Sequence, residues 1–152
     1  MAGRFYDQWT IGDTISHDIR RTVTETDNLL FTTMTHNPQP LHLDAEFAKA
    51  SEFGRILVNG TFTFALMIGL SVGDTTLGTL VANLGYDKLV MPKPVFIGDT
   101  LRCDSEVTDL KPSKSRPGAG IVTFTHRLRN QRDEIVCQCL RMALLQGSGA
   151  AA

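Results

Sequence analysis

Asn59-Gly60-Thr61-Phe62-Thr63-Phe64-Ala65-Leu66-Met67-Ile68-Gly69-Leu70-Ser71-Val72 is the stretch on which the fold turns. Behind the Asn-Gly pair, the run from about Thr61 to Val72 predicts a helix, and Phe62, Phe64, Ala65, Leu66, Met67, Ile68 and Leu70 make it apolar on nearly every face. A helix at a protein surface keeps a polar side, so this one must be surrounded. It is far too short to span a bilayer and belongs inside the protein.

After Thr79 the chain changes to strands separated by turn signals. Candidates run from Leu80 to Met91, Asp99 to Leu110, Gly120 to Asn130 and Glu134 to Leu145. Val122, Phe124 and Leu128 alternate with Thr123, Thr125, Arg127 and Arg129, the pattern of a half-buried strand. Asn130 to Asp133 supplies a hairpin turn, and Pro117-Gly118-Ala119-Gly120 a looser loop. Upstream, Ile15 to Val23 reads as a strand with Ile15, Ile19 and Val23 on one face. Thr24 and Asp27 form a capping box with Asp in the usual Glu position, opening a helix whose apolar stripe is Leu29, Leu30, Phe31 and Met34. That helix ends near Thr35-His36, and Asn37-Pro38-Gln39-Pro40 is excluded from any helix interior. Asp44 caps a short helix through Ala50, and Gly54 ends it. One buried helix and long antiparallel strands make an α+β domain. Periodicity alone does not separate a curved sheet wrapped around the helix from other α+β packings.

With 152 residues the chain fits a single domain, 1–146, followed by a flexible tail at 147–152, Gly-Ser-Gly-Ala-Ala-Ala. The formal charge of −1 and the lack of a basic block speak against nucleic acid as a partner. The N-terminus has no signal-peptide core and no apolar run reaches spanning length, so no membrane is expected and the place expected is the cytoplasm. Cys103, Cys137 and Cys139 lie on strand-like stretches without a CxxC pair, and are expected as small buried hydrophobes rather than metal ligands or disulfides. His17 and His126 are expected as surface or strand residues without a special role.

The densest chemical signal is Thr35-His36-Asn37-Pro38-Gln39-Pro40-Leu41-His42-Leu43-Asp44. The prolines stiffen the connection and hold Asn37 and His42 at a fixed separation. Histidine is the side chain suited to proton transfer near neutral pH, and an amide beside it can orient a water. A proline-rich connector whose polar residues only cap helices is an equally physical reading of these residues alone.

The segment resembles the hydratase motif of the MaoC-like, R-specific enoyl-CoA hydratases, Gly-Asp-x-Asn-Pro-(Leu/Ile)-His followed by x-Asp. Pro40, Leu41, His42 and Asp44 match it. His36 stands where Gly is usual, Asn37 where the family has its catalytic Asp, and Gln39 where it has Asn. The resemblance continues through Val58-Asn59-Gly60 and through Pro92-Lys93-Pro94-Val95-Phe96-Ile97-Gly98-Asp99-Thr100-Leu101.

It implies a hot-dog fold, a curved antiparallel sheet around the central helix, in a homodimer or higher oligomer. It also implies hydration of an enoyl-CoA thioester, with no metal or redox cofactor. His42 and Asn37 would be catalytic, and the N–H at the start of the central helix, at Gly60, would polarise the thioester carbonyl. Gly60 also has a simpler reading as a turn glycine. Thr-His-Asn-x-Gln-Pro-Leu-His-Leu-Asp is similar to a branch acting on mesaconyl-CoA or itaconyl-CoA, C5 dicarboxylic thioesters. There His36, Gln39 and Asn59 would serve as donors to the distal carboxylate. Asparagine cannot take a proton, so Asn37 leaves three accounts: His42 alone as acid–base, avoidance of a second negative charge, or a silent site. A hot-dog thioesterase and a non-catalytic acyl-CoA-binding module are the alternative functions.

Overall fold

The computed structural model describes residues 3–150. In chain order it contains β1 (Thr14–Thr22), α1 (Glu25–Met34), α2 (Pro40–Leu43), α3 (Ala45–Ala50), α4 (Gly60–Thr75), β2 (Leu80–Val90), β3 (Thr100–Pro112), β4 (Gly120–Arg129) and β5 (Ile135–Leu145). The strands form one antiparallel sheet in the order β1-β3-β4-β5-β2. Helix α4 lies across it, touching β1, β3, β4 and β5. This is the hot-dog arrangement expected from the sequence.

Alternation on the strands builds the core. Leu101, Cys103 and Val107 of β3, Val122, Phe124 and Leu128 of β4, and Cys137, Cys139, Ala143 and Leu145 of β5 all point inward and are buried. Met67 and Leu70 of α4 pack with Leu101, Cys103, Leu128, Cys137 and Cys139 and with Val58 and Val95, while Val107, Val122, Phe124, Ala143 and Leu145 form a second cluster around Trp9. The three cysteines are free. Burial pushes the Cys103 and Cys137 thiols up to about 12 and Cys139 to about 11, so they behave as apolar side chains.

Several local expectations change in the fold. Helix α4 is not enclosed on every side: Thr63, Met67, Leu70 and Ser71 are buried against the sheet, whereas Ala65 and Gly69 are exposed. The capping box of α1 forms, yet its apolar stripe faces outward, with Leu29, Leu30 and Met34 exposed and Asn28 and Thr32 buried. On β1, the steps from Ser16 to Arg20 face only Asp104 to Arg102 on β3, and the resulting bulge exposes Ile19 while burying His17. Pro40 opens a helical turn instead of continuing an extended path, a position that suits its fixed φ and missing N–H. Within the stretch expected as a tail, Ser148–Ala150 form a 3-10 turn in which Ser148 N–H donates to Asp7 Oδ1 at 2.8 Å; residues 151–152 lie outside the described residues.

His17 on β1 and His126 on β4 are strand residues as expected, but both are buried rather than at the surface. Asp74 Oδ2 accepts from His17 Nδ1 at 2.7 Å, His17 Nε2 meets Ser105 Oγ at 2.7 Å, and Ser105 Oγ meets His126 Nδ1 at 2.6 Å. The chain runs from α4 through β1 and β3 to β4. His126 is fully enclosed, stacks on Phe124, and its Nε2 has no hydrogen-bond partner among the described residues.

Candidate active site

Three segments meet beside the N-terminus of α4. The first is the inward face of α1, the second the short helix α2 with the turn before it, and the third the extended stretch Leu57–Asn59. Leu57 N–H donates to the Leu41 carbonyl at 3.0 Å, fastening the third segment to the second. His42, half-buried on α2, is within 2.7 Å of the Leu57 carbonyl through Nδ1. A carbonyl only accepts, so Nδ1 carries the hydrogen and the neutral ring presents Nε2 as a lone pair. The backbone thus selects the tautomer in which Nε2 can act as a base.

Asn37 is half-buried, and its Oδ1 accepts the Gln39 N–H at 3.0 Å, closing an Asx turn directly before Pro40. That turn leads into α2, where His42 N–H donates to the Gln39 carbonyl at 3.0 Å. With its oxygen engaged, the Asn37 side chain offers hydrogens from Nδ2. His36 lies in the left-handed region with φ 55, at the turn that ends α1, and is exposed. This explains why glycine is usual there, since a Cβ in that conformation costs about 1–2 kcal/mol. Gln39 is exposed beside it. Asp44 is a helix cap, accepting from Glu46 N–H and Phe47 N–H at 3.0 Å each.

Asn59, expected to face the substrate, is instead enclosed at 2 % exposure. Its Oδ1 caps α4 by accepting Thr61 N–H at 3.0 Å, and its Nδ2 donates to Thr32 Oγ1 at 3.2 Å. The Asn59 N–H donates to Asn28 Oδ1 at 2.9 Å, while Asn28 Nδ2 donates to the His42 carbonyl at 2.8 Å. Nothing in the apolar-stripe reading of α1 singled out Asn28. Its spacing of one turn from Thr32, with both residues polar, was the available signal.

Gly60 is the first residue of α4. Its N–H has no carbonyl one turn earlier in the helix to pair with, and it stands at the positive end of the helix dipole. A Cβ at Gly60 would come within 2.7 Å of Met91 Sδ, so the bare glycine lets the Met91 side chain close over it. Gly60 lines a cleft of about 250 Å³ walled by Phe53, Leu57, Thr63, Met91, Lys93 and Val136, among others. The cleft is mostly apolar, with Lys93 contributing the charge. Among the described residues, no group of three or more His, Cys, Asp or Glu side chains is placed to hold a metal.

Residues 7–128 match the MaoC like domain. The chain belongs to the MaoC-like domain family. Its relatives include a mesaconyl-CoA hydratase of Cereibacter sphaeroides, 36% identical over 99% of this chain and 43% of the relative. An (R)-specific enoyl-CoA hydratase of Aeromonas caviae is 35% identical over 66% of this chain and 70% of that protein. Among solved structures, a MaoC-like dehydratase from Rhodospirillum rubrum superposes with a TM-score of 0.83 at 31% identity, covering 95% of this chain and 98% of that one. The chain spans about two fifths of the length of the first of these relatives.

Proposed function

We propose that this MaoC-like chain adds water to, or removes it to form, the 2,3 double bond of an enoyl-CoA thioester. One observation carries the reading. The His42 ring, its tautomer set by the Leu57 carbonyl, is fastened to the stretch of backbone that leads into Gly60, and both Leu57 and Gly60 line an apolar cleft whose lining does not include His42 or Asn37. In the hydration direction the thioester oxygen takes up charge at Gly60 N–H as water attacks C3. His42 Nε2 accepts the proton leaving that water and returns it to C2, so one water is added and the thioester survives. Asn37 Nδ2 donates to the water oxygen and orients it. One preorganised donor at a developing oxyanion contributes roughly 3–4 kcal/mol, and a placed acid–base about 100- to 10,000-fold in rate. The reaction uses only these groups and the substrate's own CoA.

For the acyl group we propose a C5 dicarboxylic thioester such as mesaconyl-CoA or itaconyl-CoA. Identity of 36% to a mesaconyl-CoA hydratase supports this. So does the neutral Asn37, because a carboxylate at that position would repel a second carboxylate on the substrate. His36 adds weight, since an exposed imidazole is kept in a backbone conformation that glycine would adopt without strain. His36 and Gln39 would face the distal carboxylate. Turnover of mesaconyl-, itaconyl- and crotonyl-CoA by the purified chain tests both parts. Hydrated product with the thioester intact supports the reaction, free CoA supports a thioesterase, and a clear preference for crotonyl-CoA removes the dicarboxylate reading.

A homodimer completes the picture. β2 is an edge strand carrying exposed Leu84, Tyr86, Leu89 and Val90, and the outer side of α4 is open. Pairing two β2 edges would join the sheets and cover both. A monomeric mass in sedimentation would rule it out. No described helix is long and apolar enough to cross a membrane, and the three free cysteines suit the reducing cytoplasm, where we place the protein.

A further inference from the structure

Asn28 is a buried side chain with two polar ends and a different functional segment on each. Its Nδ2 donates to the carbonyl of His42, and its Oδ1 accepts the N–H of Asn59, the residue directly before Gly60. Thr32, one turn further along α1, takes the Asn59 side chain as well. Helix α1 therefore grips the start of α4 twice and the backbone of His42 once. The direct fastenings between the other two segments, Leu57 N–H to Leu41 and His42 Nδ1 to Leu57, act on the ring and on Leu57. They do not reach the residue from which the Gly60 N–H is hung.

We propose that Asn28 is a positioning residue that sets the distance between the His42 imidazole and the Gly60 N–H. This rests on the hydratase reading above. A proton leaves the water at C3 and charge gathers on the thioester oxygen in the same event, so both groups must be registered against one substrate. Displacement by about 1 Å of a group that holds the reacting geometry costs about 100-fold in rate.

The chemistry of the site requires an amide. Leucine has nearly the same shape and leaves a buried carbonyl and a buried N–H unpaired. Aspartate still accepts from Asn59 but turns an oxygen toward the His42 carbonyl. As a carboxylate it repels that carbonyl; once protonated it donates to it, and the bridge is rebuilt. Asn28→Asp is therefore a bridge that closes as pH falls; its stability recovers with the same protonation, so the rates are compared only at pH values where thermal unfolding shows the variant fully folded.

The experiment is a pH profile of kcat and KM for wild type, Asn28→Leu, Asn28→Asp and His42→Ala on whichever of mesaconyl-, itaconyl- or crotonyl-CoA the wild type hydrates, with thermal unfolding of each variant. Asn28→Leu should lose about 10- to 100-fold in kcat with KM changed far less. Asn28→Asp should gain relative to wild type as pH is lowered. Wild-type kcat in Asn28→Leu beside an inactive His42→Ala overturns the positioning role and leaves the hydratase intact. A loss in Asn28→Asp that is the same factor at every pH also overturns it. Wild-type rates in His42→Ala, or no hydration by the wild type, would instead overturn the hydratase reading and take this proposal with it.

Discussion

Acidification should weaken this fold through one of its two enclosed histidines, His126, well before general acid denaturation. Burial, followed by the charges of Arg141 and His17, pushes the His126 imidazole down to about 3 from an ordinary 6.5. The ring lies between Phe124 and the Ser105 hydroxyl, with Asp74 three hydrogen bonds away and partly exposed at the end of the chain. A group whose folded value is depressed binds more protons unfolded than folded, so stability rises with pH between the two values. The contribution is complete above about pH 6.5 and is lost as pH falls toward about 3. Each pH unit in that window is worth about 1.4 kcal/mol, which makes the loss about 2 kcal/mol at pH 5 relative to neutrality. For a chain of this size that corresponds to a drop of about 4–8 °C in Tm. The comparison protein is His126→Asn, which keeps a polar partner for Ser105 at the Nδ1 position and cannot titrate. It will be less stable at every pH, because the ring stacked on Phe124 is gone. The informative quantity is the slope. Between about pH 7.5 and pH 5, wild type should lose about 2 kcal/mol more than the variant in urea unfolding, since other ionisable groups act in both proteins. Equal losses in the two would refute the argument and mean that His126 is hydrated or charged in the fold.

Two predictions concern the turn before α2. His36→Gly removes a Cβ from a left-handed position and should raise stability by up to about 1 kcal/mol, while lowering kcat/KM for mesaconyl-CoA more than for crotonyl-CoA; unchanged selectivity would release His36 from any part in recognition. Asn37→Asp keeps an oxygen for the Gln39 N–H, so the turn should survive. It should shift the ratio of kcat/KM values toward crotonyl-CoA by about tenfold or more through repulsion of the second carboxylate, and a ratio that moves the other way would count against charge avoidance.

Most of the scaffold was legible because its strands obey simple alternation and its central helix is apolar. β2 to β5 begin and end within a few residues of their sequence-based limits, and the caps at Thr24 and Asp44 form as their side-chain chemistry requires. The enclosed histidine was readable too: His126 shares parity with Val122, Phe124 and Leu128 on β4, just as Arg141 does with Cys139 and Ala143 on β5. Polarity argued for the surface and parity for the core, and parity won because Ser105 and Asn83 supply partners.

What sequence could not show was long-range. The bulge that turns Ile19 out and His17 in depends on pairing with β3. The inverted face of α1 depends on backbone groups of His42 and Asn59 lying where Asn28 can reach them. Asn59 illustrates the same point at the site, since a residue adjacent to Gly60 in sequence spends its amide on a helix cap and on Thr32. His42 and Gly60 were singled out by resemblance, whereas Asn28, which bonds to the backbone of both segments, carries only the weak mark of its one-turn spacing from Thr32.

The most direct test of the central claim is to incubate mesaconyl-CoA with wild type and with His42→Ala and to follow the thioester by mass. Wild type should form a product heavier by one water with CoA still attached, and the variant should form it at least about 100-fold more slowly. Release of free CoA, or hydration by His42→Ala at the wild-type rate, would contradict that claim.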